Sequence, residues 1–379
     1  MTDKIIKRSL EDLIMPNLFK GKVIIILGPR QAGKTTLARR LSDASGIEAL
    51  WLSGDEADVR EMLSNTTSAR LKAIAGRHKL IIIDEAQRIR DIGLTLKLFA
   101  DMLSDVQVIA TGSSSFELAN SINEPLTGRK YEYHLYPFSF GEMAAYSGQL
   151  DETRLTEHRM IYGYYPEVVI KQGEEQTLLR LISESYLFKD IFSLGSMKKP
   201  ALLEKILQAL ALQIGNEVSY HEIGQLVGAD RETVERYIDM LEKAFVVFRL
   251  MSLSRNLRNE LKRGRKIYFW DNGIRNAVIK NFNQLGLRSD RGALWENFLV
   301  SERRKANHFS NRWVNSWFWR TTAQQEIDYI EEAGGQFIAW EFKWQLSKKK
   351  SFPKAFLEAY PESLTGFVDR ENYASFLLD

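Results

Sequence analysis

The chain contains no cysteine. Disulfides and thiolate metal sites are therefore excluded, and a reducing, cytoplasmic setting is expected. Histidine is scarce. The five residues, at 78, 134, 158, 221 and 308, show no ligand-like spacing, so a structural zinc site is not expected. Long apolar runs are missing too. Val23–Leu27 and Leu80–Ile83 fall far short of the roughly 20 residues that cross a bilayer. The first residues, MTDKIIKRSLEDL, lack the apolar stretch of a secretory signal. An excess of one charge is also absent: 52 Lys and Arg stand against 49 Asp and Glu, a net +3. The molecule as a whole is no polycation. Internal repeats and low-complexity segments are not found.

What is present suits two or three soluble globular domains: 379 residues, 44% hydrophobic and 27% charged. Apolar runs at 22–27, 80–83 and 106–110 alternate with helical patterns at Lys34–Ser42, Asp58–Ala75 and Gly93–Leu103. That alternation predicts an α/β fold with a parallel sheet covered on both faces. Residues 151–195 read as mostly helical. Helical patterns follow at Ala201–Ile214, Tyr220–Val227 and Arg231–Ala244, then strand-like runs at Val246–Met251 and Lys266–Trp270. Beyond about residue 285 a helix near Trp295–Lys305 precedes strands at Ser316–Arg320, Glu326–Ile330 and Gln336–Lys343.

Residues 28–35 read Gly-Pro-Arg-Gln-Ala-Gly-Lys-Thr, the GxxxxGK[ST] pattern, between a predicted strand and a predicted helix. Gly28 and Gly33 let the backbone of Pro29, Arg30, Gln31 and Ala32 wrap phosphates. Lys34 is placed to reach the β- and γ-phosphates, and the Thr35 hydroxyl, followed by Thr36, to bind Mg²⁺. The helix that begins there turns its positive end to the anion. ATP and Mg²⁺ are thus the expected cofactors. At the end of the 80–83 run stand Asp84 and Glu85, where α/β sheets bind ligands. Asp84 is expected to hold Mg²⁺ through water, and Glu85 to polarise the attacking water. The third run ends in Thr111-Gly-Ser-Ser-Ser115. Ser113 is either a γ-phosphate sensor or part of a Ser-rich turn. Arg129, in Leu126-Thr-Gly-Arg129, either reaches the γ-phosphate of a neighbouring subunit or pairs with a local acid such as Glu132.

These pieces resemble AAA-type ATPases of archaea and bacteria (the AAA_14 group) that carry a C-terminal DUF4143 domain. The resemblance rests on GPRQAGKTTL (28–37), IIIDEAQ (81–87), TGSSS (111–115), LTGR (126–129), YPFSFGEM (136–143), YYPEVV (164–169) and KDI (189–191). It continues through FWDNGIRNAV (269–278), GALWENFLV (292–300), FWRT (318–321), EIDYI (326–330) and EFK (341–343). It spans nearly the whole chain and implies ATP hydrolysis, with the biological substrate left open.

Residues 219–238 have helix-turn-helix form. Ile223, Leu226 and Val227 lie on one helix, Gly228 and Asp230 in the turn, and Val234, Ile238 and Leu241 on the second. Asp230 is a good N-cap. The strands that follow would make a wing carrying Arg255, Arg258, Lys262, Arg263, Arg265 and Lys266 against the single acid Glu260. A winged helix sets its second helix, beginning with Arg231, in the major groove and its wing on phosphates. Such modules also serve as assembly surfaces or lids, and Glu232, Glu235 and Asp239 disfavour approach to DNA.

In the last segment Glu341 and Lys343 are two apart on a strand and share a face. A hairpin through Ala333, Gly334 and Gly335 brings Asp328 beside them, and Glu296 on the preceding helix completes a cluster. Such a set can hold Mg²⁺ and activate water against a phosphodiester, or it can be edge charges that keep a sheet soluble. It looks like the PD-(D/E)xK nuclease fold, although Glu-Ile-Asp replaces the Pro-Asp pair. The expected architecture is a P-loop ATPase core with a helical lid (1–197), a winged helix (198–284) and a restriction-endonuclease-like α/β domain (285–379). The expected function is an ATPase with ATP at the interfaces of a homo-oligomer, acting on DNA, with no membrane partner. A nucleotide-controlled switch and an ATP-licensed nuclease are the alternatives.

Overall fold

The computed structural model describes residues 6–113, 126–187, 199–253, 264–345 and 351–378. The chain forms two compact units. The first comprises Met1–Phe138, Ser185–Met197 and Lys243–Phe245, the second Ser139–Glu184, Lys198–Glu242 and Val246–Asp379.

The first unit is built on β1 (Val23–Leu27), β2 (Ala49–Ser53), β3 (Leu80–Asp84), β4 (Gln107–Gly112) and β5 (Lys130–His134). All neighbours pair in parallel, in the order β2-β3-β4-β1-β5. The VIIIL of β1 is wholly buried, as are the four apolar residues of β3, which is why they read as continuous apolar runs. The predicted parallel sheet is therefore present. Its edge strands β2 and β5 escaped the sequence reading because they are mostly half-buried and carry no such run. The single helix expected over Asp58–Ala75 is two, Ala57–Leu63 and Ser68–Ala75. Asn65 between them takes a left-handed φ of 48°, and Thr67 caps the second by accepting from the Arg70 backbone N–H.

The second unit carries a six-stranded mixed sheet in the order β11-β10-β9-β8-β6-β7. Its strands are β6 (Val247–Ser252), β7 (Arg265–Phe269), β8 (Asn315–Arg320), β9 (Glu326–Ala333), β10 (Gln336–Phe342) and β11 (Leu364–Val368). β9 and β10 are joined by Gly334 and Gly335, at φ 60° and 83°, the two left-handed positions of a tight hairpin. The helix Arg291–Phe309 packs on β7, β10 and the helix Tyr373–Leu378, burying Trp295, Phe298 and Leu299. The helices Tyr220–Val227 and Arg231–Lys243 form as expected. Gly228 turns between them at φ 73°, and Asp230 accepts from the Thr233 backbone N–H at 2.7 Å.

The expected divisions at 197/198 and 284/285 do not coincide with the compact units. Residues 139–184, which lie within the segment 1–197 expected as ATPase core and helical lid, are in the second unit. β6 and β7 pair antiparallel. The pair forms the edge of the large sheet, because β6 also pairs in parallel with β8 through Met251–Trp317 and Ser252–Phe318. A strand pattern records which residues face inward, and it does not record which ladder satisfies the other edge. Among the described residues no helix is long and apolar enough to cross a membrane.

Candidate nucleotide site and a second carboxylate centre

The glycine-rich loop leaves the carboxyl end of β1 and enters the helix Lys34–Ser45 through Gly33, at φ 95°. Gly28 is required for a different reason: a Cβ there would lie 2.1 Å from the Leu135 carbonyl oxygen. Lys34 is buried. Its ammonium donates to the carbonyls of Gly28 at 3.0 Å and Pro29 at 2.9 Å. Ala32 is buried, Arg30, Gln31 and Thr35 are half-buried, and Thr36 is exposed on the outer face of the helix. Arg8 braces the loop from outside the motif. Its guanidinium donates to the Ala32 carbonyl at 2.7 Å and the Tyr136 carbonyl at 2.6 Å. Sequence reading gave no signal for Arg8.

The strand order sets β4 between β1 and β3. Three strand ends therefore meet at one place. The Thr35 hydroxyl donates to Asp84 Oδ2 at 2.8 Å, and the Thr111 hydroxyl donates to Asp84 Oδ1. Both carboxylate oxygens thus point at hydroxyls, the donor chemistry that suits a hydrated divalent cation. Glu85 follows in a left-handed conformation, φ 49°. Gln87 Nε2 donates to Glu85 Oε2 at 2.6 Å and to Ser113 Oγ at 2.9 Å. Ser113 is buried and is joined to Glu85 through Gln87. Thr111 and Gln87 are additions. Gln87 lies two residues past Glu85 in the sequence, but only the fold shows that it bridges to β4.

Arg129 lies at the other end of the sheet. Its carbonyl accepts from the Val23 backbone N–H at 3.0 Å, at the start of β1, about 16 Å of strand away from the phosphate loop. It cannot serve its own loop. Its Nε donates to Asp101 at 2.5 Å, so the local acid is Asp101 rather than Glu132. Glu132 instead bonds His134 at 3.1 Å and Lys130 at 2.5 Å. The hydrogen bond from His134, helped by Lys130, holds its carboxyl down at about 2.

The second unit gathers another set. Oxygens of Glu296, Glu326 and Asp328 all lie within 4.8 Å of one another. Lys343 Nζ stands 2.8 Å from Glu341 and 3.6 Å from Asp328, and Asp328 accepts from the Phe342 backbone N–H at 2.7 Å. All four residues expected here, Glu296, Asp328, Glu341 and Lys343, are thus brought together. Three were missed. Lys266, assigned in sequence to the basic wing, is fully buried and bonds Glu296 at 2.7 Å and Glu326. The Tyr268 hydroxyl donates to Glu296 at 2.6 Å. Glu326 precedes Asp328 by two on β9 and so shares its face, a signal that was present in Glu-Ile-Asp.

Burial pushes the Glu296 carboxyl up to about 7, against the pull of Lys266. Burial alone would lower Lys266, but Glu296, Glu326 and Asp328 outweigh it and hold its ammonium charged. The same balance raises Lys343, through Asp328 and Glu341.

The residues expected to touch DNA fall into three groups. Arg255, Arg258, Lys262 and Arg263 lie outside the described residues. Arg231 is exposed at the start of the second helix. Arg265 lies over the Tyr220 ring at 4.3 Å and 4.0 Å from Glu235. Of the helix acids that disfavoured DNA, Asp239 pairs with Arg249 at 2.6 Å and Glu235 lies 4.0 Å from Arg265.

Residues 20–144 match the AAA domain family, 153–285 a domain of unknown function (DUF8612) and 291–374 a domain of unknown function (DUF4143). An uncharacterized protein of Mycobacterium tuberculosis is 28% identical over 330 residues, covering 86% of this chain and 71% of that protein. One from Methanocaldococcus jannaschii is 21% identical over 348 residues, covering 86% and 75%. Among solved structures, the Thermotoga maritima RuvB Holliday junction branch migration motor is 15% identical, with 70% of this chain and 93% of that chain covered and a TM-score of 0.34. A Pyrococcus horikoshii signal transduction ATPase with a tetratricopeptide repeat sensor is 13% identical, covering 81% and 48%, with a TM-score of 0.29. Scores this low carry no inference about function.

Proposed function

For a chain that joins an AAA domain at 20–144 to a DUF4143 domain at 291–374, we propose a Mg-ATP-dependent ATPase that works as a homo-oligomer on DNA. The observation that carries the ATPase reading is the meeting of Thr35, Asp84 and Thr111 with Glu85, Gln87 and Ser113 at three adjacent strand ends. Lys34 exchanges the carbonyls of Gly28 and Pro29 for the β- and γ-phosphate oxygens. The backbone N–H groups of residues 30–35 hold the same phosphates. Thr35 and Asp84 would hold the magnesium ion, which neutralises charge on the phosphates when bound. The Glu85 carboxylate takes a proton from the attacking water, whose oxygen bonds the γ-phosphorus as the bond to the β-phosphate oxygen breaks, giving ADP and phosphate. Ser113 and Gln87 fix where that carboxylate points. Arg129, out of reach of its own loop, acts on the γ-phosphate of a neighbouring copy.

The test is the steady-state ATPase rate with and without double-stranded DNA, with Lys34→Ala as the blank. Activity that Lys34→Ala leaves intact overturns the reading. Mixing Lys34→Ala with Arg129→Ala should restore part of the activity that each lacks alone, and no recovery would remove the shared site. Hydrolysis that ignores DNA would favour a nucleotide-controlled switch of protein partners.

The second carboxylate centre supports a further reading for the second unit: a winged helix joined to an endonuclease-like domain. Glu296, Glu326 and Asp328 would hold a divalent cation, which lowers the pKa of bound water. Glu341 and Lys343 would orient that water toward a phosphodiester. Plasmid nicking in Mg²⁺ or Mn²⁺ that Lys343→Ala abolishes would support it, and no nicking in either metal would sink it.

A further inference from the structure

Two polar cavities of the second unit adjoin. One, of about 590 Å³, runs along Arg320, Thr321 and Thr322. The other, of about 250 Å³, lies against His221, Arg231 and Arg265. Glu217 and Gly264 line both, so the two are parts of one groove. One end abuts the carboxylate centre, since Arg320 Nε stands 3.6 Å from Glu326. The other end reaches Arg231, the first residue of the second helix of the helix-turn-helix.

The chemistry of the groove selects its ligand. Arg231, Arg265 and Arg320 line it with one carboxylate of the walls, Glu217, while Glu235 and Glu326 stand 4.0 Å and 3.6 Å from Arg265 and Arg320. Arg320 stands 3.6 Å from Glu326 and 3.8 Å from Glu217, both beyond good hydrogen-bond distance. Its Nη2 donates to the Gln324 side-chain oxygen, but among the described residues no carboxylate lies within hydrogen-bond distance, so the guanidinium is open to a phosphate. The aromatic residues of the walls offer no stacking platform, because Tyr220 and Trp319 are only 4% and 8% exposed. Recognition here falls on phosphates and not on bases.

We infer that this groove takes the sugar–phosphate backbone of a nucleic-acid strand. The strand runs from a scissile phosphodiester at the carboxylate centre, past Arg320, to Arg231. The inference rests on the phosphodiester reading of that centre. It adds the path of the substrate and joins two elements, the helix pair and the carboxylate centre, that sequence had assigned to separate domains.

The test is anisotropy of fluorescein-labelled single-stranded DNA with the full chain, in EDTA, over a series of NaCl concentrations. Arg231→Ala and Arg320→Ala should each weaken binding about tenfold. Each should also reduce the slope of log affinity against log salt by about 0.7. Arg320→Lys, which keeps the charge, should retain most of the slope and guards against a folding defect. Wild-type affinity and slope in both alanine variants would overturn the groove. Nicking in Mg²⁺ is scored separately. Weakened binding with no nicking by the wild type would keep the groove and remove the cleavage reading. Nicking with unaltered binding in the variants would remove the groove alone.

Discussion

At the end of β3, Asp84 and Glu85 are met by two hydroxyls and an amide, from Thr35, Thr111 and Gln87. In the second unit, Glu296, Glu326, Asp328 and Glu341 are met by the ammonium groups of Lys266 and Lys343. Neutral donors orient carboxylates and leave their charge for a cation to be bound. Lysines balance part of that charge in place, two ammonium groups among four carboxylates. The difference follows from burial. Asp84 and Glu85 are half-buried at a strand end, where water stabilises the charge. Lys266 and Glu296 are packed inside the unit, where an unpaired ion costs several kcal/mol. One centre therefore has only neutral donors on its carboxylates, while the other carries two lysines among its own.

The largest effect should come from the first centre. Glu85→Gln keeps the shape and removes the base, so kcat for ATP should fall about 10²–10⁴-fold. Nucleotide affinity should stay near the wild-type value in a fluorescent-nucleotide titration. A kcat close to that of the wild type would end the assignment of Glu85.

Lys266→Met sharpens the contrast between the two lysines. It leaves Glu296 and Glu326 without their buried partner and should destabilise the protein by about 3–5 kcal/mol, read as a lower midpoint in urea. Lys34→Met should cost far less stability while abolishing hydrolysis. Equal stability losses would mean that the two centres are not built differently.

Gln87→Ala tests whether an amide orients the base. It frees Glu85 from β4 and should lower kcat by about tenfold, the scale of one lost hydrogen bond to a charged group, with little change in KM. A rise in KM alone would move Gln87 from positioning to nucleotide binding.

The smallest effect concerns Asp290, a carboxylate whose partners are arginines. Burial would raise its carboxyl, but bonds from Arg288 at 2.9 Å and Arg275 at 2.6 Å hold it at about 2. Its folded pKa lies below the unfolded value of about 3.9. The stabilisation is therefore present above about pH 4 and is lost as pH falls toward 2. Asp290→Asn should cost about 1 kcal/mol at neutral pH, after allowance for its partial exposure, and the gap should close in acid. A pH-independent gap would mean that charge plays no part.

How much of this was legible in the sequence depended on distance along the chain. The phosphate loop and the Asp84-Glu85 pair are each contiguous, and contiguity is what local backbone geometry reads. Asp328, Glu341 and Lys343 were legible through strand alternation and a short hairpin. Lys266 was misread because its neighbours Arg263 and Arg265 made it part of a basic run. Its place on β7, thirty residues from Glu296 in sequence, depends on how a helix crosses a sheet. Arg8 and the Gln87–Ser113 bridge were invisible for the same reason.

The sequence by itself determined the elements that rest on neighbouring residues: the glycine loop, the buried strands, the capped helix pair and the paired carboxylates. Dihedral preference and burial period act over a few residues and need no partner. Only the tertiary structure decided that β4 stands between the loop and the acids, that β6 completes its ladder on β8, and that Lys266 lies among carboxylates. Each of those outcomes depends on which surfaces meet. That choice is made by packing and by the cost of leaving a buried charge or a strand edge unpaired.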